Sequence, residues 1–328
     1  MFRKWVLFAA IWAFGLIVLG AYVRLSDAGL GCPDWPGCYG KLSPAHAASE
    51  IHAAVSEAPN GYVSMGKAWR EMIHRYFASG LGLVVLSLFI AAMMMRDKLK
   101  QSLRLPGALV LVICLQGALG MWTVTLLLKP AIVTAHLLGG LATLILLVWW
   151  ALKLGYTREH VRPVNASIRP WALLALGCVV LQIALGGWVS TNYAALACTD
   201  FPTCQGALVP PMAFGDAFHL FRELGQTADG RPLDMANMTG IHWLHRVGAL
   251  ITTIAVLNLV WRLHRAAALP RMKWILVLAL VLQVSLGIAN VLLRLPLPVA
   301  VMHNAGAGLL LVLMVIVNFR LAAASKEA

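Results

Sequence analysis

Eight stretches of this 328-residue chain are apolar over roughly 20 residues each, and no other feature restricts the fold so severely. They fall near 5–24, 72–95, 105–126, 131–152, 171–191, 241–262, 273–293 and 298–320. Segments of that length in lipid must satisfy their own main-chain N–H and C=O groups, and a helix does so within itself. A water-soluble domain could not hide them: the chain is 60% hydrophobic and 12% charged, with mean hydropathy +0.80. The expected fold is therefore an all-α integral membrane protein with eight transmembrane helices. The first run follows Arg3 and Lys4 as a secretory leader would. Its apolar stretch is too long for a leader and lacks a clear small-residue cleavage site, so it is expected to remain as a helix.

The net charge of +13 would suit a nucleic-acid binder if it formed a basic stripe. Instead the basic residues cluster between apolar runs: Arg96, Lys98, Lys100 and Arg104; Lys153, Arg158, Arg162 and Arg169; Arg262, Arg265, Arg271 and Lys273. The positive-inside rule places these clusters in the cytoplasm, together with Arg3, Lys4, Arg320 and Lys326 at the termini. The long linkers near 25–70 and 192–240 then lie outside. This is the orientation expected in a bacterial-type inner membrane, with the bilayer as partner and no nucleic acid.

Each long linker carries a six-position cysteine frame, Cys32/Cys38 in GLGCPDWPGC and Cys198/Cys204 in ACTDFPTC. In an oxidising compartment both pairs can close as bridges, Cys32–Cys38 and Cys198–Cys204. A redox-active pair or free thiols are the alternatives. The frames belong to a larger repeat. LQGALG (115–120), LQIALG (181–186) and LQVSLG (282–287) open similar helix interiors; IHRYFASGLGLVV (73–85) parallels LHRVGALITTIAV (244–256), and PAIVTAHLLGGLA (130–142) parallels LPVAVMHNAGAGL (297–309). Subtracting positions gives offsets of 166 for the cysteines (198 − 32), 171 for the His-Arg pair (245 − 74) and 167 for the later His (303 − 136). We expect two parallel four-helix-bundle repeats, 1–155 and 156–328, related by a pseudo-two-fold axis along the membrane normal.

The repeat isolates four intramembrane histidines, His74, His136, His245 and His303, each within about two turns of the outer end of its helix. Polar groups at that depth are expensive and face the bundle interior. Paired within each half, His74 with His136 and His245 with His303 suit two axial ligands on one haem iron. Zinc or copper would want three or four converging ligands. Gly80, Gly82, Gly139, Gly140, Gly306 and Gly308 would let a flat macrocycle or a neighbouring helix approach. Arg75 and Arg246, next to the first histidine of each half, would pair with haem propionates or snorkel to headgroups. His46, His52, His160, His219 and His264 fall in loops or at helix ends and are expected to be solvated.

The halves differ at one place. Glu71 stands three residues before His74, on the same helix face, whereas the equivalent position before His245 is His242. A carboxylate at that depth could accept a proton, which makes the first half the better site for chemistry and the second a site for electron transfer.

GAYVRLSDAGLGCPDWPGC, EMIHR, TAHLLGG, HWLHRVGAL and VMHNAGAG together resemble the haem A synthase family over essentially the whole chain. The resemblance implies oxidation of the C8 methyl of haem O to a formyl group through an alcohol, for cytochrome oxidase assembly. It also implies a haem b cofactor on His245 and His303, substrate haem O at His74 and His136, and catalysis involving Glu71. By the same resemblance Cys32 and Cys38 are expected to bear on activity and redox behaviour. An electron acceptor, the farnesyltransferase that makes haem O and a second copy of the chain complete the expected partners. The competing reading is a di-haem b membrane cytochrome that oxidises quinol and modifies no haem. A transporter of parallel repeats is a third, but it would want broken helices at the midplane.

Overall fold

The computed structural model describes residues 1–59, 61–155 and 166–324; Arg158, His160, Arg162 and Lys326, named above, lie outside the described residues. Among the described residues ten α-helices run in chain order: α1 Phe2–Leu25, α2 Ala48–Glu57, α3 Met65–Met94, α4 Arg96–Leu99, α5 Arg104–Thr125, α6 Pro130–Leu154, α7 Arg169–Thr191, α8 Met235–Arg265, α9 Met272–Leu292 and α10 Leu297–Ala324. All but α2 and α4 are long and apolar enough to cross a membrane. Among the described residues there is no strand, only three isolated bridges in loops. Large side chains such as Leu83, Leu111 and Leu181 stand more than two-thirds exposed on these helices, as surfaces that meet lipid do.

Two helices begin earlier than their apolar runs. α3 starts at Met65, where the Ser64 hydroxyl accepts the Lys67 N–H at 3.3 Å, and α8 starts at Met235, where Asp234 accepts the Asn237 N–H at 2.8 Å. Capping starts both helices in polar sequence, where hydropathy alone sees none. The extension matters because Glu71 and His242 thereby lie inside regular helix rather than at its fraying start.

By contacts the chain forms two compact units. The first comprises residues 8–143 with 219–232, the second residues 1–7, 144–218 and 233–328. Within the first, the His74 ring lies beside Gly20 of α1 and Trp12 of α1 lies beside Gly80 of α3. α3 packs on α5, the His136 ring of α6 lies beside Gly120 of α5, and Ile17 of α1 comes to Gly140 of α6. In the second, α7 packs on α8 and α10, and α9 packs on α8 and α10. Asn318 of α10 fixes one of these contacts by donating to the Ala172 carbonyl of α7 at 3.1 Å.

Above α3 the chain folds back as a small cap. Ile51 of α2 packs with Cys32, Cys38, Ala68 and Met72, edged by Tyr39, Val55, Val63 and Met65. Gly31 makes the approach feasible, because a Cβ there would run into the Lys67–Ala68 main chain. The segment before α8 has an aromatic cap instead. Trp188 donates to the Ala217 carbonyl at 2.8 Å and stacks on Phe218, which stacks on Phe214.

Candidate functional site

Cys32–Cys38 and Cys198–Cys204 are disulfide-bonded, with Cα atoms 4.9 and 4.8 Å apart. The two loops share one internal wiring. Asp34 accepts the N–H groups of Tyr39 (2.6 Å) and Gly40 (2.7 Å); Asp200 accepts those of Gln205 (2.7 Å) and Gly206 (2.9 Å), and the Thr203 hydroxyl as well. Both turns put two successive residues at positive φ, Tyr39–Gly40 and Gln205–Gly206. In the second loop the Thr203 hydroxyl, helped by the Gly206 and Gln205 N–H groups, holds the Asp200 carboxyl down to about 2.

Each loop is tied to its helix by the arginine that follows a histidine. Arg75 Nη1 donates to the carbonyls of Asp34 (2.7 Å), Gly37 (2.5 Å) and Pro36 (3.3 Å). Arg246 Nη1 donates to those of Asp200 (2.9 Å) and Thr203 (2.7 Å), and its Nη2 to Cys198 (3.1 Å). The planar fork suits this task, since several donors leave one group at fixed angles.

Glu71 is buried where these ties converge. Its Oε1 accepts Arg75 Nη2 at 2.6 Å, its Oε2 accepts the Cys32 N–H at 3.0 Å, and the Gly31 N–H also faces it. His242, equally buried, turns to the Ala194 carbonyl.

The four membrane histidines meet in pairs, His74 within electrostatic reach of His136 and His245 of His303. Each ring lies edge-on to a glycine of the preceding helix. An added Cβ would stand 3.0 Å from Cε1 of His74 at Gly20, 3.3 Å from His136 at Gly120, 3.1 Å from His245 at Gly186 and 3.0 Å from His303 at Gly287. Three also have a glutamine one turn before that glycine. Gln116 Nε2 donates to the His136 carbonyl at 2.9 Å; Gln182 Nε2 lies 3.0 Å from His245 Nδ1, and Gln283 Nε2 lies 3.3 Å from His303 Nδ1. The Nδ1 atom of His74 is sealed from solvent without a hydrogen bond. That of His136 is sealed as well, but the His136 ring also lies against the Gln116 main-chain carbonyl, as the His303 ring lies against that of Gln283.

None of the four histidines is fully buried. Nδ1 is sealed in His74 and His136 and lies against a glutamine amide in His245 and His303, and Gln182 Nε2 also lies 3.5 Å from His245 Nε2. Two neighbouring imidazoles with small residues behind the rings could serve as axial ligands of a haem iron. Among the described residues no three His, Cys, Asp or Glu side chains converge as a zinc or copper site would require.

The COX15-CtaA family, cytochrome oxidase assembly protein, matches residues 3–315. The chain belongs to this family. It is 45% identical over 284 residues to haem A synthase of Shewanella oneidensis, covering 85% of this chain and 84% of that one. It is 26% identical over 303 residues to haem A synthase of Halalkalibacterium halodurans (89% and 88% covered) and 28% identical over 327 residues to that of a Chelativorans species (89% and 82%).

The structure thus places Glu71 beside Arg75 and the first disulfide, and gathers the four histidines into two pairs. Gly139 and Gly306 do serve close approach, but to a glutamine side chain, since a Cβ at either would overlap Gln116 or Gln283. Gly80 admits Trp12, and Gly82 faces open space. Sequence reasoning missed the role of Gly20, Gly120, Gly186 and Gly287 and of the glutamines. The signal was the thrice-repeated LQxxLG, whose Gln and Gly sit one turn apart on one face.

Proposed function

We propose that the protein is a haem A synthase, a multi-pass membrane oxidoreductase that converts the C8 methyl of haem O to a formyl group by successive hydroxylation through an alcohol. One observation carries the reading: four matched imidazoles in two pairs, each with a glycine behind its ring, in a family whose relatives are named for that activity. In this reading residues 1–155 and 156–328 are two parallel four-helix repeats. The neighbour pattern among α7, α8, α9 and α10 supports it for the second. Both termini lie in the cytoplasm and both disulfide loops on the outer face of the inner membrane, as the basic clusters suggest.

His74 and His136 hold haem O, and His245 and His303 hold haem b. Haem b bound there supplies one-electron redox chemistry, with an acceptor outside the chain taking the electrons onward. Glu71 takes a proton released as the methyl group is oxidised. Its carboxylate is held by the Cys32 and Gly31 N–H groups and by Arg75, so taking a proton weakens one of these bonds. Proton uptake is thereby tied to the disulfide loop, which gives Cys32–Cys38 a route to influence turnover. The guanidinium N–H groups of Arg75 and Arg246 that the loop carbonyls leave unused are the proposed propionate contacts. Haem O synthase, as the source of the substrate, is the proposed pathway partner.

The test is extraction and mass analysis of the haems from the purified full chain, expressed with and without a supply of haem O. Haem A or its alcohol precursor is expected only with that supply. Unmodified haem b at two per chain under both conditions would contradict the reading and favour an electron-transfer cytochrome.

A further inference from the structure

Three of the four membrane histidines share a second feature that the fourth lacks. The side chains of Gln116, Gln182 and Gln283 each lie over the glycine three residues after the histidine they approach: Gly139 after His136, Gly248 after His245 and Gly306 after His303. All three Oε1 atoms are buried without a hydrogen-bond partner. At His74 both halves of this arrangement are gone. Leu16 stands one turn before Gly20, where the other helices carry glutamine, and Phe77 stands three residues after His74, where the others carry glycine. Trp12 meets Phe77 edge-on at 6.1 Å between ring centroids.

An imidazole that binds iron through Nε2 carries its proton on Nδ1 and must donate it. Gln182 and Gln283, beside Nδ1 of His245 and His303, can turn their amides so that Oε1 accepts that proton, which also gives the stranded oxygens a partner. At His136 the Gln116 main-chain carbonyl lies against the ring while the Gln116 amide holds the His136 carbonyl. The acceptor fixes the ring and makes it a stronger ligand; losing such a partner weakens metal binding by about 10- to 100-fold. His74, with a sealed Nδ1 and leucine where the amide would be, has no acceptor of this kind.

We propose that Gln116, Gln182 and Gln283 are positioning residues for His136, His245 and His303, and that His74 is the one axial ligand built to release iron. This rests on the haem reading above. A half that must admit haem O and discharge haem A needs one weak ligand, while a resident haem b needs two firm ones. The substitutions at Leu16 and Phe77 place the weak ligand on α3, the helix that also carries Glu71.

Carbon monoxide tests this on the full chain in detergent, loaded with haem and reduced with dithionite. Wild type is expected to bind CO at one haem. His74→Ala retains that haem with CO affinity within about threefold, and His136→Ala loses it. Leu16→Gln lowers CO affinity at the first half about tenfold, by analogy with outer-shell partners elsewhere. If that variant does not fold, Gln182→Leu asks the reverse: the second haem, inert to CO in wild type, becomes CO-reactive. Unchanged CO affinity in folded Leu16→Gln, an inert second haem in Gln182→Leu, or loss of the first-half haem in His74→Ala with retention in His136→Ala would overturn the proposal. Haem content unchanged in both alanine variants would overturn the haem reading of this half instead, and the proposal with it.

Discussion

The two disulfide loops are nearly the same object, and the side chain beneath each is not. Both close their turn on an aspartate, Asp34 or Asp200, and both are gripped through main-chain carbonyls by an arginine, Arg75 or Arg246. Beneath the first, Glu71 receives the Cys32 N–H; beneath the second, His242 turns away to Ala194. The turn chemistry and the arginine grip are common to both loops. Besides the different caps over the two loops, the differences nearest the histidines are one ionisable group, Glu71 against His242, and the neighbours of His74. That is the pattern expected when one copy takes on chemistry and the other keeps a resident redox group.

The comparison breaks most readily at the arginines. Arg75→Lys and Arg246→Lys each leave loop carbonyls without donors, because an ammonium is a single point charge without the fork. Each is expected to destabilise its loop by about 2–3 kcal/mol, the scale of a lost charged hydrogen bond. Arg75→Lys should do more harm, since it also removes a partner of the buried Glu71. Thermal unfolding of the two variants in one detergent checks the ranking, and equal losses would mean that Glu71 draws nothing from Arg75. Replacing Cys32 and Cys38 by serine should cost about 2 kcal/mol by loop-closure entropy, as should replacing Cys198 and Cys204. Only the first pair should also slow haem O conversion, because only that loop donates to Glu71. Equal activity of both double-serine variants would remove the proposed link.

The smallest effect is a pH dependence of the second loop. The Asp200 carboxyl titrates at about 2, below its usual value of 3.8, so its support for the turn is complete above about pH 4. That support is lost as pH falls toward 2. The Cys198–Cys204 bridge should therefore become more accessible to an acid-tolerant phosphine reductant over that interval, read by mass labelling of the released thiols. Asp200→Asn should flatten the response.

The spans were legible in the sequence because lipid demands long apolar runs and the chain supplies eight. The starts of α3 and α8 were not, because Ser64 and Asp234 launch them through polar sequence that carries no hydropathy signal. The histidine pairs were legible as rare polar residues repeated at matched depth. The grip of Arg75 and Arg246 on the loops was not, since its acceptors are main-chain carbonyls, which every residue owns and no motif marks. LQxxLG was visible as a repeat, yet its meaning needed the neighbouring helix. The absence of that motif from α1 became informative only once Gly20 was seen against His74.

The central claim is that the first half does the chemistry and Glu71 takes part in it. The most direct measurement is single-turnover conversion of haem O by wild type and Glu71→Gln, at matched haem content. Glutamine keeps the shape and one accepting oxygen, enough for either Cys32 or Arg75 but not both, and has far too little basicity to accept the proton. The account predicts that haem content holds while conversion falls about 100-fold or more, the scale of general-base catalysis. Full conversion by Glu71→Gln with normal haem content would contradict it.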